Sequence, residues 1–593
     1  MEASTFFSPT KLLLKKSTVV RSSLSFCSPL VPPRNVIISY TNKYNSHTPT
    51  PRTTNNIPSS TVPSPTATAP LMANIGAAVV KLLNSMENIV NNLIDPPSRP
   101  SLDPKQVLSN SFAPVDELPP TECEVIEGSL PPCLDGAYIR NGPNPQFFPR
   151  GPYHLYDGDG MVHCIRISQG RATFCSRYVK THKFNAESHA GFPILPNFIA
   201  SFNGGLIAIA ARVALFLLRA LTRRYNALKG FGTANTSLAV FGNRLFALGE
   251  ADLPYRLRLT PSGDVETVGR HDFDGRLFMS MTAHPKTDPD TGETFAFRYS
   301  LVPPFLTYFH FDANGNKQGD VHIHSLFHIP FLHDFAITKK YAIFVDNQMT
   351  VKPIQMFLRG GSIIQTDPRK MSRIGITPRH GKNGSELRWF KIPGFNNAHA
   401  INAWDEEDGE AIVMVAPNIL AIEHFMDRIE LTHSLLEKVR IDLKTGTISR
   451  HPLSARNLDI AVINQAYIAK KNRYVYAAVG GPFPEVIGIV KLDLSKGERQ
   501  ECIVASKMYG PQCCGGEPFF VAREQENPNA EEDDGYIVSF VHDDKLGESR
   551  FLVMDSKSLD IVAAVKLPRR VPSGFHGIFV KESDLDKIYS TSL

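Results

Sequence analysis

A hairpin unit recurs along this 593-residue chain and limits the folds that it can adopt. The unit is a strand of alternating apolar residues, a tight turn with Gly or Ser, and a second strand. It occurs at 162–176, 256–268, 309–323, 439–449, 489–504 and 551–565. Further strand patterns lie between these units, at 244–248, 341–346, 411–415, 473–479 and 536–541. Such hairpins at irregular spacing, separated by long insertions, predict an all-β propeller of six to eight blades.

The alternative to a propeller is a set of separate β-sandwiches built from the same strands. Few stretches have helical periodicity, so an architecture of alternating strands and helices is not favoured. Neither a GxxxxGK(S/T) motif nor a strand-linked GxGxxG motif occurs in the sequence. Nucleotide binding therefore has no support.

Composition excludes two further classes of protein. The chain is 42% hydrophobic and 20% charged, which is typical of a soluble globular protein. Its formal net charge of +5 comes largely from the N-terminal tail and does not indicate nucleic-acid binding. Its 8 cysteines contain no C-x-x-C pair, which favours a reducing compartment over a secreted disulfide framework.

The first 70 residues have the composition of a targeting segment. After Glu2 the next acidic residue is Glu87, and the tail between them is rich in Ser, Thr, Asn and Pro with scattered Lys and Arg. Such a segment buries too little apolar surface to order itself. We interpret 1–70 as an organelle transit peptide followed by a disordered linker, with a linker alone as the alternative.

Two segments have helical periodicity. In 71–100, apolar residues recur at helical spacing until Asp95 and the prolines after it end the pattern. The second segment, around 190–225, has an almost wholly apolar centre that is broken only by Arg212 and Arg219. These charges argue against a membrane span. We predict that the helices form a cap or a membrane-contacting patch with the arginines extending to the lipid surface, and the alternative is packing on the propeller.

Four of the 19 histidines have small or apolar flanks that favour an inward-pointing position: His284, His333, His399 and His576. A buried imidazole needs a partner for each ring nitrogen, and a metal on one with a carboxylate or carbonyl on the other provides both. Their separations of 49, 66 and 177 residues suit ligands from several blades that meet on a propeller axis. A core histidine bonded to backbone is the alternative for each of them.

His322, His324 and His328 lie close together in the sequence and resemble a metal clip. Alternation along a strand puts His322 and His324 on one face. We interpret them as the solvated face of an outer strand. Three acidic residues, in contrast, have apolar or glycine flanks that suit burial opposite an imidazole: Glu250, Asp459 and Glu517. A turn or surface position is the alternative for each acid.

Nine stretches carry a resemblance to a known family. They are 136–146 (GAYIRNGPNPQ), 156–163 (YDGDGMVH), 250–255, 281–289 (MTAHPKTDP), 331–338, 399–405 (HAINAWD), 457–464 (NLDIAVIN), 515–521 and 572–580 (PSGFHGIFV). From about residue 120 to its C-terminus, the chain resembles the carotenoid cleavage dioxygenases. Within that family it most resembles the plant plastid type 4 branch. The resemblance implies a plastid enzyme whose dioxygenase domain, 101–593, is a seven-bladed propeller.

The resemblance also implies a metal site on the propeller axis. It implies Fe(II) bound by His284, His333, His399 and His576, with Glu250, Asp459 and Glu517 orienting three of the imidazoles. Which acid pairs with which ligand stays open. Four ligands leave up to two octahedral positions for dioxygen. No acid–base catalytic pair is expected.

Two positions depart from the family pattern. Asp459 stands where many relatives have Glu, one methylene longer, so we expect its hydrogen bond to be longer or water-mediated. The segment 395–398 before His399 is polar, from which we expect a poorer fit of an apolar substrate beside it.

The resemblance implies oxidative cleavage of one conjugated double bond of a carotenoid or apocarotenoid by O2. Type 4 resemblance favours the 9,10 (9′,10′) bonds, with release of C13 products such as β-ionone. Cleavage at 7,8, or at 11,12 of an epoxycarotenoid, is the rival within the class. Outside the class, the rivals are a non-catalytic carotenoid-binding propeller at plastid lipid bodies and an isomerase of the same fold. Because the substrate is apolar, we expect peripheral association with a thylakoid membrane or plastoglobule.

Overall fold

The computed structural model describes residues 68–97, 99–197, 199–200, 205–223, 225–359, 362–426, 428–481, 485–496, 500–524, 527 and 529–590. Within them the strands form the blades of a seven-bladed β-propeller. The predicted all-β propeller is confirmed, and the alternative of separate sandwiches is wrong. Residues 1–67 of the predicted transit peptide and linker lie outside the described residues.

Blade one and blade two come first along the chain. The chain first forms β1 (Leu118–Gly128), which lies between blades one and seven. Three strands of blade one follow: β2 (Gly136–Pro143), β3 (Gly160–Ser168) and β4 (Arg171–Tyr178). Blade two consists of β5 (Ser237–Phe241), β6 (Arg244–Leu248), β7 (Tyr255–Leu259) and β8 (Val265–Arg270).

Blades three and four are separated and interrupted by insertions. Blade three consists of β9 (Lys286–Thr287), β10 (Thr294–Tyr299), β11 (Leu306–Phe311) and β12 (Val321–Ile323), and is followed by β13 (Ile329–Pro330). Blade four begins with β14 (Ala336–Ile337) and β15 (Tyr341–Asp346). After the inserted β16 (Met349–Val351) and β17 (Ile364–Thr366), blade four ends with β18 (Arg373–Pro378) and β19 (Arg388–Lys391). Strands β13, β16 and β17 pair with one another in a small separate sheet.

The remaining blades follow in order. Blade five is β20 (Asn402–Glu406), β21 (Ala411–Leu420), β22 (His433–Asp442) and β23 (Ile448–Pro452). Blade six is β24 (Leu458–Val462), β25 (Tyr474–Gly480), β26 (Val486–Asp493) and β27 (Ile503–Met508). Blade seven contains β28 (Cys513–Gly515), β29 (Phe519–Ala522), β30 (Gly535–Asp543), β31 (Glu548–Asp555) and β32 (Ile561–Lys566). The last strand is β33 (Gly577–Lys581), which belongs to blade one.

The two ends of the chain close the ring at blade one. Strand β33 pairs antiparallel with β2, so the innermost strand of this blade comes from the C-terminus. Strand β1 pairs with β4 on one side and with β32 of blade seven on the other, which joins both blades into one ten-stranded sheet. This pairing through β1 closes the ring between the first and the last blade.

The antiparallel order of each blade sorts the connections between two ends of the propeller. We call the end at which the innermost strands begin the cap end, and the opposite end the turn end. First-to-second and third-to-fourth strand connections lie at the turn end, where the predicted tight turns are. Connections between blades lie at the cap end, as do those between second and third strands.

The cap end carries most of the helices. The helices are α1 (Thr68–Ile89), α2 (Pro104–Val107), α3 (His182–Ala190), α4 (Leu206–Arg223), α5 (Pro353–Arg359) and α6 (Glu582–Ser590). Helices α3 and α4 lie between β4 and β5, and α5 lies between β15 and β18, which places all three at the cap end. Helix α1 continues into a π-helical turn, Val90–Ile94, that contacts α4.

Large apolar side chains fill the space between neighbouring blades. Phe297 and Tyr308 of blade three pack against Phe335 and Phe344, which lie at and in blade four. Ring centroids are 5.4 Å apart for Phe297 and Phe335, and 5.6 Å apart for Tyr308 and Phe344. Burial of each such ring stabilises the fold by about 1.5–3 kcal/mol, which makes the blades a rigid frame for the axis.

The arginines of α4 contradict the prediction that they extend to a lipid surface. Arg212 donates through Nε to Asp95 Oδ2 at 2.6 Å, and Arg219 donates through a terminal guanidinium nitrogen to Glu87 Oε2 at 2.9 Å. Both guanidinium groups are buried against the α1 segment. They turn inward because a paired, hydrogen-bonded charge tolerates burial. Among the described residues, no helix is both long and apolar enough to cross a bilayer.

Candidate metal centre

Four innermost strands each have a predicted site histidine directly before them. His284 precedes β9, His333 precedes β14, His399 precedes β20 and His576 precedes β33, in each case by one to three residues. Because innermost strands begin at the cap end, four different blades deliver one imidazole each to the same level of the axis. The structure therefore brings all four histidines together.

The four rings face a common centre. The Nε2 atoms of His284 and His333 are 3.0 Å apart. Ring centroids of His284 and His576 are 4.5 Å apart, and those of His399 and His576 are 5.1 Å apart. One nitrogen from each ring lies within 4.8 Å of the others. Two nitrogens on opposite sides of one ion, each about 2.1 Å from it, would lie about 4.2 Å apart, so this cluster has the dimensions of a metal site.

Carboxylates bind the outward-facing nitrogens of three of these rings. His399 Nδ1 donates to Asp459 Oδ1 at 2.9 Å, and His576 Nδ1 donates to Glu517 Oε1 at 2.9 Å. His333 Nδ1 likewise donates to Glu250 Oε1. A proton held on Nδ1 leaves the Nε2 lone pair free for a metal. The pairing of acids with histidines, which the sequence left open, is thus visible in the folded chain.

His284 differs from the other three rings. No carboxylate is bonded to it among the residues that the structure describes. Burial, followed by the proximity of the other three imidazoles, holds the pKa of His284 well below its usual value. Its ring is therefore neutral at physiological pH, which is the form that binds a metal.

Asp459 reaches His399 directly, so the expectation of a longer or water-mediated bond is wrong. The 2.9 Å distance equals that of the Glu517 pair. A bulge in β24 brings the shorter side chain close, since the register shifts after Asp459 and Ile460 has a φ of 46°. Burial raises the pKa of Asp459, but hydrogen bonds from His399, Ile460 and Ser434 lower it below the usual value overall. The carboxylate is therefore ionised and accepts the hydrogen bond from His399 Nδ1.

The polar segment before His399 supports the loop that carries this ligand. Asn396 and Asn397 are buried, each only 4% exposed. Asn397 Nδ2 donates to the carbonyl of His399 at 3.1 Å, and Asn396 Oδ1 accepts from the backbone of Gln348 at 3.0 Å. Their polarity is used within the loop, so the expectation of a poorer substrate fit has no support from these contacts.

A partly buried ion pair that the sequence analysis missed joins three of the ligand loops. Lys286 Nζ lies 2.8 Å from Asp334 Oδ1 and donates to the carbonyl of Ala400 at 3.1 Å. The Asp334 carboxylate also accepts from the backbone of Ala400 at 2.8 Å. These residues stand two, one and one positions after His284, His333 and His399. The sequence offered one indication of their role, which is that each lies within two residues of a ligand histidine. Nothing in the sequence showed that they contact one another.

An axial cavity of about 350 Å³ extends from the histidines along the innermost strands toward the turn end. Its lining includes His284, His399, His576 and Glu517. Aromatic rings lie nearby. Phe331 stacks on His333 with centroids 6.2 Å apart, and Tyr156 lies 5.7 Å from Phe575, the residue before His576. The site therefore combines imidazole nitrogen donors with apolar and aromatic surroundings.

The histidines that resemble a metal clip lie elsewhere. His322 is exposed on β12, the outermost strand of blade three, and His324 is exposed just beyond it. These two positions match the interpretation as a solvated face. His328, in contrast, is half-buried, and its Nε2 lies 3.2 Å from Asp346 Oδ1.

Comparison with known proteins identifies a matching family and several similar proteins. The family described as "Retinal pigment epithelial membrane protein" matches residues 112–581. The chain is 63% identical to a probable carotenoid cleavage dioxygenase 4, chloroplastic, of Arabidopsis thaliana, over 86% of each chain. It is 54% identical to a 9-cis-epoxycarotenoid dioxygenase, chloroplastic, of Oryza sativa subsp. japonica, over 85% of this chain and 80% of that one. A carotenoid 9,10(9′,10′)-cleavage dioxygenase of Arabidopsis thaliana is 39% identical over 86% of this chain and 95% of its own.

A solved structure agrees with the fold. The lignostilbene dioxygenase of Pseudomonas brassicacearum matches with a TM-score of 0.70 and 25% identity. The match covers 82% of this chain and all of that one.

Proposed function

Because the chain belongs to the family of the retinal pigment epithelial membrane protein and the carotenoid cleavage dioxygenases, we propose that it cleaves a conjugated double bond of a carotenoid or apocarotenoid with O2. The enzymes of this family depend on a non-haem iron. The observation that carries the proposal is the convergence of four imidazoles from four blades. Soft-to-intermediate nitrogen donors of this kind suit Fe(II).

The residues of this chain have distinct roles in the proposed site. His284, His333, His399 and His576 would hold the iron, and Glu250, Asp459 and Glu517 would keep three of the rings in the metal-binding tautomer. The carboxylates also offset the charge of an ion whose direct ligands are all neutral. Aromatic rings such as Phe331 and Phe575 exclude water and offer faces against which a flat polyene can pack.

Iron supplies the activation of dioxygen that an unassisted reaction lacks. The reaction balances without a further reductant, since one C=C bond and the O–O bond break and two C=O bonds form. No proton needs to move to or from the substrate, so the carboxylates serve positioning. Bond choice then depends on where the pocket stops the polyene.

We expect cleavage at the 9,10 (9′,10′) bonds, as in the carotenoid 9,10(9′,10′)-cleavage relative and as the type 4 resemblance suggests. Iron-loaded protein supplied separately with β-carotene, an apocarotenal, zeaxanthin and a 9-cis-epoxycarotenoid should release β-ionone or another C13 ketone from an accepted substrate. Chromatography of the products gives the bond. C15 aldehydes from the epoxycarotenoid would show 11,12 cleavage, and C10 products would show 7,8 cleavage.

The same assay separates a dioxygenase from the two rival functions. A non-catalytic carotenoid-binding propeller would hold no stoichiometric iron and consume no O2. An isomerase would change the substrate without consuming O2. Oxygen uptake that matches product formation supports the dioxygenase and contradicts both.

The outer face of α4 supports docking of the cap on a lipid surface. Leu217 and Leu221 are 51% and 74% exposed, and Leu93 beside the end of α1 is 78% exposed. Arg212 and Arg219 of α4 point inward, which reverses the arrangement normal for a helix that faces water. Since carotenoids dissolve in lipid, this face would place the enzyme on a membrane or plastoglobule where its substrate resides.

A double substitution on this face should release the protein from lipid. We expect Leu217→Glu with Leu221→Glu to move the protein from the vesicle pellet to the supernatant, because two charges would enter the acyl region. Liposomes of galactolipid and phosphatidylglycerol provide the surface, and activity on detergent-dispersed substrate should stay within about twofold. Val504→Glu, at a 44% exposed position on β27, is the matched control. Unchanged sedimentation of the α4 variant would contradict docking through this face.

Plastid localisation is part of the proposal. The composition of 1–70 is that of a transit peptide, and two of the relatives above are described as chloroplastic. The mature enzyme would then consist of the helical segment 71–100 and the dioxygenase domain 101–593, with its apolar helical insertion around 190–225, on a plastoglobule or thylakoid surface.

A further inference from the structure

A second group of metal-binding side chains lies at the turn end, away from the axial histidines. Glu293 is in the connection between β9 and β10, His310 is near the end of β11, and His380 follows β18. The first two belong to blade three and the third to blade four. One donor atom from each lies within 4.8 Å of the others. Residues far apart in sequence thus meet at the boundary between two blades.

The donor atoms have the spacing of a shared ion. His380 Nε2 lies 3.2 Å from each carboxylate oxygen of Glu293, and His310 Nε2 lies 3.9 Å from Glu293 Oε1. In a tetrahedral site with bonds of about 2.0–2.1 Å, neighbouring ligands are about 3.3 Å apart. A single hydrogen bond from His380 would satisfy Glu293, and it does not account for a second imidazole aimed at the same oxygen.

A buried ring holds both imidazoles in place. Phe295 is fully buried on β10. Its ring stacks with that of His310 and lies edge-on to that of His380, with ring centroids 5.5 Å apart in each pair. The two imidazoles are 5.3 Å apart. Little side-chain freedom remains to be lost when an ion binds.

The charges around the cluster leave room for a divalent cation. Arg379 lies 3.7 Å from Glu293 Oε2, but its guanidinium also donates to Asp288 at 2.6 Å. One arginine therefore faces two carboxylates. Thr291 Oγ1 also donates to Glu293 Oε2, at 3.2 Å. His380 is half exposed, which leaves the cluster open to solvent for a water ligand.

We propose that Glu293, His310 and His380 form a second metal site that takes Zn²⁺, with water as the fourth ligand. Two imidazoles and one carboxylate are a common donor set for zinc with an open position. The ion would join blade three to blade four at the turn end, opposite the cap. Because it would bind the folded chain only, it would also stabilise the propeller. The site is independent of the proposed dioxygenase reaction.

A zinc titration of the iron-loaded protein tests this site while the axial histidines are occupied. We expect one Zn²⁺ per chain beyond iron, measured by competition with a chromophoric chelator, and a higher melting temperature with zinc. His380→Ala changes a half-exposed residue and should weaken this binding at least about tenfold, with Glu293→Gln doing the same. His322→Ala on β12 is the control and should bind zinc as the parent chain does.

Two results would overturn the proposal. One is saturation of the parent chain with iron but no further zinc at 100-fold excess over protein. The other is a zinc equivalent whose affinity is the same in His380→Ala and Glu293→Gln as in the parent chain, which would place the ion elsewhere. Iron content and O2 consumption, measured on the same samples, report on the axial site separately.

Discussion

Replacing His333 with alanine should abolish both iron binding and oxygen-dependent cleavage while the propeller stays folded. The substitution removes one of four nitrogen donors and leaves Glu250 without its hydrogen-bond donor. The buried neighbours Leu332 and Phe335, which anchor this loop in the core, are retained. Iron per chain after reconstitution, product formation and the melting temperature of the iron-free protein measure the three parts of this prediction.

The control for His333→Ala is His324→Ala, which removes an exposed imidazole near the end of blade three. That variant should keep its iron and its full activity. The melting temperatures of the two iron-free variants should agree within about 4 °C. Full activity in His333→Ala would remove this residue from the metal site, and with it the assignment of the axial cluster.

Replacing Glu517 with alanine should lower activity by about 10–100-fold while some iron is retained, the usual cost of losing a group that orients a metal ligand. Glu517 accepts from His576 Nδ1 through one oxygen and from the backbone of Gly577 at 2.8 Å through the other. Without it, His576 loses both the group that fixes its tautomer and the support of the next residue. Turnover per bound iron, and the rate at which a chelator removes iron, are the measurements.

Glu517→Gln separates geometry from charge. The amide oxygen can still accept one hydrogen bond, so a role in orientation predicts activity between those of the parent chain and Glu517→Ala. A role in charge compensation predicts the same loss in both variants. Unchanged kinetics in Glu517→Ala would show that this carboxylate does not support the reaction.

Local sequence predicted most of the blades. The hairpins read from alternating apolar residues correspond to β3–β4, β7–β8, β11–β12, β22–β23, β26–β27 and β31–β32. The hairpin of blade four, β18–β19, was missed although its connection, 379–387, is no longer than those of β11–β12 and β26–β27. What differs is the strand pattern: β18 contains Gly375 and Pro378, which are unfavourable in strands, and β19 has only four residues.

Side-chain direction was the weakest part of the prediction. An apolar helix interrupted by arginines suggested cations that reach toward lipid, but Arg212 and Arg219 pair with Asp95 and Glu87 in the core of the cap. The helical spacing of apolar residues and arginines is the same whether the arginines face lipid or pair with buried carboxylates. What differs is the presence of partner carboxylates more than a hundred residues earlier, which only the folded chain brings within reach.

Local pattern and residue type were enough to predict the hairpins, the kinds of metal-binding residue and the family. The contacts of Asp459 with His399, of Glu517 with His576 and of Glu250 with His333 became known only from the folded chain. Those pairs, like the meeting of Glu293 with His310 and His380, depend on how the blades close around the axis. Each of these contacts joins residues that are far apart in the sequence, and their separation along the chain does not show whether they meet. Ring closure and strand register decide that, and both depend on the whole chain.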